Sequence, residues 1–236
     1  SSDLLSLIRF TQLGSTPQSL SQTTGTGILI SGPTNIFNGD VTFNFPQLFL
    51  NGATYNGAAT MQKNGATDNT SVGGNIFNGV TSITNSSSAN FLRLANTNAD
   101  NYNADVTFTQ NNSGVLAPNY NTNCTYAGNV TISAPTTYTI TFGSAAGGIA
   151  TFTGGSAQTI NKSGSVTNPV FTRLVMNKSA NSVTLNTRIN ISSALTLTQG
   201  IINTTSTNIL NMNDASTTSI GNNTSYINGP MNYDMA

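Results

Sequence analysis

The stretch Phe37-Asn38-Gly39-Asp40-Val41-Thr42-Phe43 joins a turn to an alternating strand, and the fold follows from how it recurs. It returns as Tyr55-Asn56-Gly57-Ala58-Ala59-Thr60, as Phe77-Asn78-Gly79-Val80-Thr81 and as Tyr102-Asn103-Ala104-Asp105-Val106-Thr107. A looser copy is Tyr126-Ala127-Gly128-Asn129-Val130-Thr131. The aromatic positions 37, 55, 77, 102 and 126 are 18, 22, 25 and 24 residues apart. Recurrence at roughly 20–50 residues is the signature of stacked structural repeats. Asn-Gly tolerates positive φ and turns the chain sharply. The hydrophobic-Thr-hydrophobic run that follows puts one face inward. The pattern therefore predicts a parallel β-helix, a solenoid of about ten coils with one coil per repeat. Asn-Gly is also a two-residue hairpin signal, so tandem antiparallel β-sandwich repeats are the alternative.

Composition points to the same all-β class. Charged residues make up 6% of the 236, against about 25% in ordinary domains. All seven acids are Asp, and there is no Glu and no His. Without Glu, and with only seven Lys and Arg, the chain lacks the residues that fill the exposed faces of helices. Asn, Thr, Ser and Gly take their place and suit turns and pleated strands. Hydrophobic residues reach 36% and fall in short alternating runs, which argues against disorder.

The second half has the same texture with different turns. Tyr138-Thr139-Ile140-Thr141-Phe142, Phe171-Thr172-Arg173-Leu174-Val175-Met176, Ala194-Leu195-Thr196-Leu197-Thr198 and Asn208-Ile209-Leu210-Asn211-Met212 read as strands. Residues 1–149 are read as solenoid repeats with aromatic-Asn-Gly turns, and 150–236 as a continuation with Thr/Asn-rich coils. An echo between Phe10-Thr11…Gln18-Ser19-Leu20 and Phe152-Thr153…Gln158-Thr159-Ile160 suggests a larger unit that restarts near 150. Neither Ser1-Ser2-Asp3 nor the closing Tyr233-Asp234-Met235-Ala236 resembles a cap, so the chain is expected to be a segment of a longer polypeptide.

Candidate chemistry is sparse. A net charge of zero with no basic cluster argues against nucleic-acid binding and against a polybasic membrane contact. No apolar run approaches the roughly 20 residues of a bilayer span. The nearest carboxylates, Asp100 and Asp105, are tested as a glycosidase pair. Asp105 shares its slot after the turn with Asp40, which makes it a turn residue. Asn98, Asp100, Asn103 and Asp105 form the richest oxygen cluster for calcium, but lack the dense acidic spacing of a calcium loop. Cys124 is the only cysteine and has no histidine to activate it. Gly147-Gly148 and Gly154-Gly155 lack the lysine and helix of a phosphate loop. Thr139/Thr141, Thr184 and Thr196/Thr198 are candidates for a water-ordering array, but these Thr-x-Thr pairs show no fixed register from coil to coil. Sequons such as Asn85-Ser86-Ser87 arise readily in so Asn/Ser/Thr-rich a chain. The expectation is no catalytic, cofactor or metal residue and no enzyme activity.

The units at 37–43, 91–96 and 102–108 resemble repeats in very large cell-surface proteins of Bacteroidetes. So do Gln158–Gly164, Leu174–Ala180 and Ser225–Met231. The resemblance implies an exported, extracellular surface adhesin or filament similar to those of the type IX secretion system. Some of these serve gliding motility by attaching to a substratum or surface polysaccharide, so their secretion and motility machinery are implied partners. The sorting domain typical of that route is not identified in this sequence, and the matched pattern is scaffold, so it transfers no functional residue. The alternatives are a non-catalytic part of a carbohydrate-active β-helix enzyme and a phage or filament structural protein.

Overall fold

The computed structural model describes residues 4–23, 25–145 and 147–234. Ser1–Asp3, Met235 and Ala236, which enter the reading of the termini above, lie outside them. The described residues contain strands and no helix. Strand pairs with strand in parallel throughout, and the single antiparallel contact among the described residues is the isolated bridge Asn222↔Ser225. The chain is a parallel β-solenoid, and the sandwich alternative is overturned.

Each coil passes three faces. The leucine face holds Leu4–Leu7, Ile28–Ser31, Gln47–Leu50, Asn69–Thr70, Phe91–Arg93 and Val115–Ala117 in its first coils. The aromatic face holds Ile36–Phe37, Thr54–Tyr55, Ile76–Phe77, Asn101–Tyr102, Asn123–Tyr126 and Ile149–Phe152. The threonine face holds Gln18–Ser21, Val41–Phe45, Ala59–Lys63, Thr81–Asn85, Val106–Gln110, Val130–Ala134 and Gln158–Gly164. Val170–Leu185 and Ile189–Asn203 each run through all three faces, and Ser225–Asn228 adds the tenth rung of the threonine face. Ten rungs at about 4.8 Å give a stack roughly 50 Å long. The ladders cross residue 150 without a break, through Tyr126↔Phe152 and Ile160↔Leu185.

The predicted aromatic spacing is a physical column. Phe37, Tyr55, Phe77, Tyr102, Tyr126 and Phe152 are partners in register. Successive rings from Phe37 to Tyr126 lie 5.1, 4.9, 4.9 and 5.2 Å apart, within 6° of parallel. Rings one strand apart stack in the offset arrangement that aromatic pairs favour, and all are buried. A second inward column, Phe43-Met61-Ile83-Phe108-Ile132, backs the threonine face.

The turn chemistry differs from the expectation. Gly39, Gly57 and Gly79 do not have positive φ. A Cβ on Gly57 would lie 2.4 Å from the Gly39 carbonyl carbon, and one on Gly79 2.2 Å from the Gly57 oxygen. Glycine at 57 and 79 lets corner backbones stack directly on one another, while the fourth copy accommodates Ala104 in the same slot. The preceding asparagines form a ladder. The Asn56 amide donates to Asn38 Oδ1, Asn78 to Asn56 and Asn103 to Asn78, each at 2.7 Å. Ala127 in the fifth copy has no amide to continue it. The sharp turn is thus fixed by contacts between coils and not by local backbone preference.

Candidate functional site

Five residues beyond Phe37, Tyr55, Phe77, Tyr102 and Tyr126 stands an outward hydroxyl, and Ser19 continues the line one coil earlier. Ser19, Thr42, Thr60, Ser82, Thr107 and Thr131 are direct partners along the threonine face. Two residues further, Ser21, Asn44, Gln62, Thr84, Thr109 and Ser133 form a parallel second row. From Val41–Phe45 through Val130–Ala134 the inward residues of these strands are buried and the two row positions are not. Neither row contains a charge over these six rungs.

The rows hold register because coil length varies elsewhere. From the aromatic to the second row is seven residues in all five copies, while the coils themselves span 18 to 25. Extra residues enter on the leucine face and its corners, where strands shorten to Asn69–Thr70 and Phe91–Arg93. A fixed register therefore exists on this face, at positions outside the Thr-x-Thr pairs singled out in the sequence. The residues first considered are dispersed: Thr141 pairs with Val170, Thr184 with Asn203 and Thr196 with Val175, on three different faces. Sequence reading missed the rows because it searched for Thr-x-Thr. Counting five and seven residues from each aromatic, and accepting Ser, Asn and Gln, would have found them.

The rows also differ from the corners in hydrogen bonding. Corner asparagines are partnered from coil to coil, again at Asn96–Asn121; beyond the six rungs the bond Asn161–Asn186 continues the first-row line in the same way. In the rows, the side-chain bonds among the described residues involve Asn44, Gln62 and Thr131. The remaining hydroxyls face outward and make no intramolecular side-chain bond among the described residues.

Asp100 and Asp105 form no pair. Asp105 Oδ1 accepts from the Asn129 backbone N–H at 2.8 Å, as Asp40 Oδ1 does from Ala58 at 2.8 Å. Both are corner residues that tie one coil to the next. Asp100 is wholly buried instead. It occupies the inward slot two residues before the aromatic, where other coils place Asn35, Ala53, Asn75, Cys124 and Ala150. Its Oδ1 accepts from the Asn75 N–H at 2.9 Å and from the Asn75 amide at 2.8 Å, and its Oδ2 has no partner. Burial raises its pKa to about 7, and the bonds from Asn75 oppose that rise. The four calcium candidates do not converge: Asn103 lies in the corner ladder, Asn98 pairs with Gly73, Asp105 is at the corner and Asp100 is in the core.

Cys124 is buried in the same column, its sulfur accepting from the Asp100 N–H at 3.4 Å. Burial pushes its thiol well above the usual range, with the Asp100 charge adding to the effect. That is the opposite of what an activated thiolate needs. Gly147-Gly148 and Gly154-Gly155 are corner residues, and a Cβ on Gly148 would meet the Asn119 oxygen at 2.1 Å.

Sequence reading also missed two buried lysines. Lys178 folds inward at its corner and donates to the Ser156 oxygen at 2.8 Å, the Thr153 oxygen at 3.2 Å and the Gln158 side chain. Lys63 donates to the Gly65 oxygen at 2.6 Å and to Ser87 Oγ. Burial lowers the pKa of both, that of Lys63 to about 8. An ammonium can satisfy several corner carbonyls at once, which keeps these polar groups from being buried unpaired. A groove of about 300 Å³ opens beside Lys178, lined by Asn181, Ser182, Gln199 and Asn203, and the Lys178 ammonium is already engaged.

No protein-family model matches the chain, and no curated protein and no solved structure is significantly similar to it. The fold places it in the class of parallel β-solenoids.

Proposed function

We propose that this chain is a structural and adhesive segment of an exported cell-surface filament or adhesin, of the kind that mediates surface attachment or gliding. The observation that carries the reading is the unbroken parallel stack. Each coil contacts its neighbours through the same columns, so length grows by adding coils without redesign of the core. Such a body is a spacer that holds a contact surface away from its attachment point. A scaffold role is supported by where these side chains go: Asp40 and Asp105 tie corners, Lys63 and Lys178 fill them, and Asp100 and the thiol are buried. The extracellular setting and the polysaccharide or substratum partner rest on the resemblance of the repeats. Negative-stain imaging of the native full-length protein tests the proposal. Thin filaments at the cell surface are expected, and a globular intracellular particle would overturn it.

A further inference from the structure

We propose that the two outward rows of the threonine face bind the ordered surface of an uncharged polysaccharide, as a repeating hydrogen-bonding array. This rests on the adhesive reading and gives it a face and a ligand class. Three observations carry it. The rows are in register over six rungs, their hydroxyls are largely without intramolecular partners, and they carry no charge.

The geometry sets the kind of ligand. Neighbouring groups within a row are about 4.8 Å apart, and the rows are about 6.7 Å apart, two residues along a strand. Six rungs therefore span roughly 24 Å. A ligand that uses the whole array must be rigid, repetitive and hydroxylated at sugar-ring spacing. Absence of Lys and Arg from the rows disfavours anionic polymers, which need cations for charge-assisted bonds. Asn44 and Gln62 reach further than the hydroxyls beside them; with Asn44 Oδ1 accepting from Asn64 and Gln62 Nε2 donating to Ser86, the Asn44 amide nitrogen remains as a donor and Gln62 Oε1 as an acceptor. Such an uneven surface suits the varied donors and acceptors of packed sugar chains better than a single plane of equivalent water molecules.

Energetics separate a solid from its soluble fragments. One hydrogen bond formed in water contributes little net, because it replaces bonds to water. A short oligosaccharide engages few groups and does not offset the translational and rotational cost of association. On a solid, once one rung is seated the others act at high effective concentration, and weak contacts accumulate. Strong retention on crystalline polysaccharide together with negligible affinity for its soluble fragments is the expected signature.

The test is depletion of the protein from solution by microcrystalline cellulose and by chitin, with cello- and chito-oligosaccharides as soluble competitors. The double variant Thr60→Lys/Thr107→Lys should lower retention by about tenfold or more, since two bulky charges break the register. Thr60→Ser/Thr107→Ser should retain it, and Thr196→Lys on the aromatic face should be neutral. Far-UV circular dichroism checks that each variant is folded. Wild-type protein left wholly in solution, or equal retention of the Thr60→Lys/Thr107→Lys variant, would overturn the assignment, as would ice-crystal shaping without polysaccharide retention. Filaments seen by imaging without any retention would remove this ligand and leave the rod.

Discussion

Replacing Asp100 by asparagine should make this protein more stable at neutral and alkaline pH. Asp100 is fully buried, with one carboxylate oxygen held by Asn75 and the other unpartnered. Its pKa rises from 3.8 to about 7 on folding, chiefly through desolvation. The folded state therefore holds the proton more tightly than the unfolded state. Below about pH 4 both states are protonated and the carboxyl exacts no penalty. As pH rises toward 7 the unfolded chain loses the proton first, and stability falls. Three pKa units correspond to roughly 4 kcal/mol, reached in full above pH 7. Asparagine is neutral throughout and already occupies this slot at Asn35 and Asn75. Asp100→Asn should match wild type near pH 4 and exceed it by up to about 4 kcal/mol at pH 8. Urea unfolding followed by circular dichroism at pH 4, 6 and 8 measures the difference. A variant equal to or weaker than wild type at pH 8, or a gap independent of pH, would refute the account of this carboxyl.

Two further substitutions probe the corners. Gly57→Ala should destabilise by a few kcal/mol, since its Cβ would meet the Gly39 backbone, whereas Gly14→Ala, with nothing within 4 Å, should be near neutral; thermal melts compare them. Lys178→Met should cost about 1–3 kcal/mol by leaving the Thr153 and Ser156 carbonyls unpaired, and hydrogen exchange should show the loss concentrated around residues 153–158.

Much of this architecture is legible in the chain. Lack of Glu and scarcity of Lys and Arg exclude exposed helices, and the aromatic at 37, 55, 77, 102 and 126 marks one coil each. Parallel order can be read too, because single coils near 22 residues bring like residues over like. The two polar rows are equally present in the sequence, at fixed distance from each aromatic. What obscured them is that Ser, Thr, Asn and Gln are interchangeable as outward groups while the coil length varies.

Other features are not local properties and needed the tertiary structure. Gly57 reads as a residue chosen for positive φ, but only the stacked coils show that it makes room for Gly39. Asp100 and Asp105, five residues apart, look like a pair, yet strand alternation and the corner send one into the core and the other outward. Lys63 and Lys178 look like surface charges until the carbonyls of neighbouring turns and coils are placed around them. The sequence determined that the chain is an all-β stack of repeats, because periodic burial and turn chemistry are encoded within each repeat. Tertiary structure decided which polar groups face a partner, the core or solvent, because those contacts join residues about twenty apart that meet only when coil lies on coil.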